Sequence, residues 1–138
     1  MLALALVSIL AAAPEKVPPG IQVQYLSSQV NADWTLTIKP NRDGSALARL
    51  ERASLRGVVK KHKITASDLK KLWVDLEASD WWLLQGDGIE QMDGATITFA
   101  LNDGRRSGKF DAHHVSGRYA ELFHIVLTAT HLPDPTKN

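Results

Sequence analysis

Apolar side chains recur along this chain with two periods, and the points where one gives way to the other outline its elements. Ile21, Val23 and Tyr25 alternate with Gln22 and Gln24, and Trp34, Leu36 and Ile38 alternate with Thr35 and Thr37. A repeat of two predicts strands with one buried face. β-branched and aromatic residues reinforce the second of them. Pro40-Asn41-Arg42-Asp43-Gly44 then supplies a turn, because Asp and Gly tolerate positive φ, and a return strand is expected from Ser45 to Arg52. A further strand is expected from Leu55 to Lys63, with Gly57 as a bulge.

Beyond Thr65 the repeat lengthens. Leu69, Leu72, Trp73 and Leu76 fall on one helical stripe, while Lys70, Lys71, Asp75 and Glu77 point away from it. Thr65 and Asp68 stand at the N-cap and N3 positions, and Ile64 and Leu69 are spaced to staple across the cap. Burying the four large apolar side chains is worth roughly 6–12 kcal/mol before ordering entropy is set against it, so packing decides this helix. Ser79 and Asp80 end it, and Trp81 to Leu84 form a short apolar tail before the turn Gly86-Asp87-Gly88.

Ala95, Ile97, Phe99 and Leu101 alternate with Thr96 and Thr98, Asn102-Asp103-Gly104 turns the chain, and a partner strand runs from Arg105 to Ala112. A second helix starts near Ser116 or Gly117, carries Tyr119, Leu122, Phe123, Val126, Leu127 and Thr130 on one stripe, and is stopped by Pro133. The fold class is therefore α+β: an antiparallel sheet with two amphipathic helices packed on one face. Thr35-Leu36-Thr37-Ile38 before Asn41 and Asp43-Gly44 parallels Thr96-Ile97-Thr98-Phe99 before Asn102-Asp103-Gly104. A ββα unit used twice gives this pattern, and so do two unrelated Thr-rich strands that each end in an Asp-Gly turn.

The chain's first thirteen residues are uncharged and apolar, ending in Ala11-Ala12-Ala13. They read as a signal peptide over 1–13, too short to span a bilayer, which takes about 20 apolar residues. No Lys or Arg follows Met1, and cleavage after Ala13 would place Pro14 at the new start. A linker over 14–20, a single α+β domain over 21–132 and a disordered tail over 133–138 complete the division. A periplasmic or secreted location is expected, and not an integral membrane protein. The absence of cysteine excludes disulfides, thiol catalysis and a lipidated cysteine. With 16 basic and 15 acidic residues the net charge is +1, against the strongly basic balance of nucleic-acid binders.

The densest group of potential metal ligands is Asp111, His113 and His114, followed by Glu121 and His124. Imidazole and carboxylate suit zinc or iron, but the helical Glu-His pair occurs once where a di-iron motif needs two, and it faces solvent. Asp87, Glu90 and Asp93 lie in a glycine-bracketed loop without EF-hand spacing. Arg49, Arg52, Arg56, Lys60, Lys61 and Lys63, with His62, make a basic run that attracts a polyanion or guards a sheet edge against aggregation. Adjacent Trp81 and Trp82 diverge on either a helix or a strand, so either one is available to a partner or both pack under the loop from Gln85 to Gly94. Ser116 lies near His113 and His114, but no nucleophile elbow or phosphate-cradling glycine loop occurs.

No residue set specifies a reaction and no cofactor is expected. The expected function is a binding or interaction module contacting an envelope protein or polyanionic surface component through Arg56, Lys60, Lys61, Trp81 and Trp82. The alternatives are a metal-assisted hydrolase using Asp111, His113, His114 and His124, and an exported enzyme inhibitor.

Trp34 to Ile38, Asp43-Gly44, Thr65 to Trp82 and Asp93-Gly94-Ala95-Thr96 form a strand, turn, strand, helix with a terminal aromatic pair, and strand. Over Trp34 to Leu127 this order resembles a group of uncharacterised bacterial exported domains. Members of that group carry cysteines around the first strand, where this chain has none. The resemblance implies the α+β fold and an envelope location, and no mechanism.

Overall fold

The computed structural model describes residues 17–27, 32–53, 59–86, 95–113 and 117–136. Strands β1 (Gly20–Leu26), β2 (Trp34–Pro40), β3 (Ala46–Arg52) and β4 (Val59–Ile64) precede helix α1 (Ala66–Ala78) and a 3₁₀ turn (Trp81–Leu83). Strands β5 (Thr96–Asn102) and β6 (Ser107–Ala112) and helix α2 (Gly117–Thr130) follow. They form one six-stranded sheet in the order β4-β3-β2-β1-β5-β6, with every neighbouring pair antiparallel. The α+β architecture read from the sequence is the observed one. β1 lies in the interior of the sheet, since β4 ends at one edge and the chain returns through α1 to lay β5 against β1.

Alternation along the strands builds the core. Val23, Leu36, Ala48 and Phe99 are fully buried on one face, and Leu72 and Leu76 of α1 and Leu122 and Val126 of α2 join them in a single cluster. Both helices therefore cover the same face, and the opposite face meets solvent. Gly57, the expected bulge, lies outside the described residues, and β4 itself begins at Val59.

Local chemistry sets the ends of the helices. The Thr65 hydroxyl accepts from the Asp68 N–H at 3.2 Å, the capping the sequence predicts. At the other end of α1 the Ser79 hydroxyl donates to the Leu76 carbonyl at 2.6 Å, and Asp80 adopts φ +54°. That left-handed residue redirects the chain so that Trp81 turns inward. α2 stops at His131, φ +52°, before Pro133 is reached. There the Thr130 hydroxyl donates to the Leu127 carbonyl (2.7 Å) and accepts from the Leu132 N–H (3.2 Å).

The two hairpin turns use aspartate alike. Asp43 accepts from the Ser45 hydroxyl (2.6 Å) and N–H (2.9 Å), which holds its carboxyl below the ordinary value. At Asp103 burial pushes the carboxyl up, but N–H donation from Arg106 and Arg105 and the Arg106 charge outweigh it, and the net displacement is downward. Gly44 and Gly104 take the positive φ that each turn requires, +89° and +93°. Past the second strand of each hairpin the two units part: β3 leads to β4 before α1, whereas among the described residues β6 is followed by α2.

Candidate ligand-binding face

Since successive side chains on a strand point to opposite faces, pairing register fixes what the uncovered face displays. One row across the sheet reads Lys61, Arg49, Thr37, Gln22, Ala100, Lys109. The next reads Glu51, Thr35, Gln24, Thr98, Asp111. Lys39 and Lys63 flank Leu47 in a third. Among the described residues, five cations (Lys39, Arg49, Lys61, Lys63, Lys109) share this face with two carboxylates (Glu51, Asp111), a net +3 on one surface of a chain whose total is +1. Both carboxylates have partners: Arg49 pairs with Glu51 at 2.8 Å, and Thr98 donates its hydroxyl to Asp111 at 2.8 Å.

The segment ahead of β1 lies against this face. Asn102 donates its side-chain amide to the Val17 carbonyl at 2.7 Å. Gly20, at φ +113°, passes so close to β2 that a Cβ there would collide with the Ile38 carbonyl oxygen. Two cavities flank Val17 and Pro18. One, of about 240 Å³, is floored by Gln22, Gln24, Thr98 and Lys109, and the other, of about 430 Å³, is walled by Pro18, Pro19 and Pro40.

The pleat divides the basic run expected to form one patch. Arg49, Lys61 and Lys63 reach the uncovered face. Arg52 and His62 fall on the helix side, where Arg52 donates to the Pro135 carbonyl (3.5 Å) and the His62 ring meets that of His131 with centroids 5.0 Å apart. Thus two members of the run anchor the end of α2 and the segment after it, in which Pro135 is buried. Lys60 and Lys61 are both exposed on the edge strand but alternate in direction, and Arg56 lies outside the described residues.

Trp81 is corrected from a contact residue to a core residue. It is 1% exposed, with its ring 6.4 Å from that of Trp73 and against Gly108 of β6. Trp82 is half-buried, and the Arg106 guanidinium lies 3.6 Å from its ring centroid while pairing with Glu77 at 3.1 Å. One face of Trp82 is therefore already taken. β6, against which Trp81 packs, and β4, which carries the lysines, are opposite edges of the sheet, so the expected contacts do not converge.

The metal ligands are also dispersed. Asp111 is on the uncovered face, bonded by Thr98, whereas exposed His124 is on α2, across the sheet. His113 is half-buried just past β6, and His114 and the loop carrying Asp87, Glu90 and Asp93 lie outside the described residues. Among the described residues no three His, Cys, Asp or Glu side chains come together as a metal site. None of the described helices is long and apolar enough to cross a membrane. Comparison with known proteins finds no matching family model and no matching curated sequence.

Sequence reasoning missed Lys39 and Lys109 and the cavities beside Val17 and Pro18. The alternation marks both lysines as outward-facing, but only the pairing of β1 with β5 brings them to one surface.

Proposed function

We propose that this protein is a binding module, exported to the periplasm or cell exterior, whose uncovered sheet face takes a polyanionic surface component. The net +3 of that face, spread over Lys39, Arg49, Lys61, Lys63 and Lys109, is the observation that carries it. Threonine hydroxyls and glutamine amides between the cations add hydrogen-bond donors for anionic oxygens. Attraction between exposed charges is screened beyond about 8–10 Å near physiological salt, so capture should weaken steeply as salt rises.

A heparin column tests this. The wild-type chain should be retained at low salt, and the double variant Arg49→Glu/Lys61→Glu should flow through. The double variant Lys70→Glu/Lys71→Glu, on the exposed side of α1, changes net charge by the same amount and should still be retained. If the two variants elute together, the uncovered face is not the binding surface.

A further inference from the structure

The cavity walled by prolines calls for a different ligand from the rows of cations beside it. We propose that it is a binding site for a small amphipathic carboxylate, with its apolar body between Pro18, Pro19 and Pro40 and its carboxylate at Lys39. The volume, about 430 Å³, falls within the range of small-molecule sites, about 300–1,000 Å³. Proline rings offer rigid apolar surface and no N–H donor, so the walls suit hydrocarbon better than a polar body.

Gln22, Thr37 and Lys39 are the polar residues of the lining, and the other seven are apolar. Among the described residues no carboxylate pairs with Lys39. One ammonium and two neutral donors match a single carboxylate. A multiply charged sugar phosphate would put uncompensated charge against the prolines. Val17 to Pro19 is held in place on both sides, by the Asn102 amide and by the close pass of Gly20 over β2, so the walls stand before a ligand arrives.

Ligand-observed NMR and calorimetry on the full chain, with decanoate, decanol and decyltrimethylammonium as probes, test this site. Decanoate should saturate, and decyltrimethylammonium should bind more weakly than either other probe. Lys39→Gln should weaken decanoate by about two- to fivefold, the size of one exposed charge pair, and leave decanol unchanged. Gln22→Trp places a bulky ring over the cavity from an exposed position and should abolish decanoate and decanol binding together. Ala100→Phe, which fills the cavity from β5, is the second blocking variant, with a thermal melt confirming that each folds. Absence of saturable decanoate binding, equal binding of the cationic probe, or full binding in a folded blocking variant overturns the proposal. Heparin retention measured on Ala100→Phe reports on the polyanion surface separately, because that variant leaves all five cations of the face in place.

Discussion

On β5, Phe99 is fully buried with its ring stacked 5.3 Å from that of Phe110, while Thr98, one residue earlier, is half-exposed and gives its hydroxyl to Asp111 on the other side. The same contrast runs across the sheet, from Leu36 against Thr37 to Leu50 against Arg49. A pleated layer thus separates two tasks at single-residue spacing: stability comes from the helix side, and the water side is left to chemistry. Substitutions on the two faces should consequently differ by several-fold in cost, and binding residues should be replaceable without unfolding the chain.

Phe99→Ala should break the covered face most severely, at about 3–5 kcal/mol, because it removes a large buried side chain and leaves a cavity. Chemical denaturation measures it, and a loss under about 1 kcal/mol would erase the distinction between the faces. Trp81→Ala should cost about as much, and Trp82→Ala roughly 1–2 kcal/mol, since that ring is only partly buried and has the Arg106 guanidinium over one face. Equal melting temperatures for the two variants would contradict their assignment to core and surface.

Acid should act through the turns. Asp43 and Asp103 have folded values below their ordinary 3.8, so their contribution to stability is present above that pH and is lost as pH falls through the lowered values. The melting temperature should decline below about pH 4 in the wild type and decline less in Asp103→Asn, as thermal melts across pH 2–6 would show. The smallest effects belong to the uncovered face. Thr98→Val should cost no more than about 1 kcal/mol, and Arg49→Ala or Lys61→Ala no more than about 0.5 kcal/mol.

The covered face is legible in the sequence because burial has a period: the Ile21, Trp34 and Ile97 series and the stripes through Leu72 and Leu122 each declare their own element. What local patterns do not carry is which strands meet. β1 is flanked by β2 and β5, and only that pairing sets Lys109 and Gln22 in one row and exposes the groove beside Val17. The basic run shows the same limit. Six cations close in sequence look like one patch, yet the pleat sends Arg49 and Lys61 one way and Arg52 the other. Trp81 reads as a contact in the sequence because its burial hangs on one backbone angle at Asp80, and an aspartate with positive φ leaves no mark on the hydrophobic pattern.

A strand made early and seated in the middle has a consequence for how the chain is assembled. Until the hairpin of β5 and β6 has left the ribosome, β1 has a neighbour on one side only and presents a bare ladder of amides to any passing strand. A fragment ending after Ala78 should therefore clump, and a peptide carrying β5, β6 and α2, arriving as a stopper, should restore a soluble one-to-one complex.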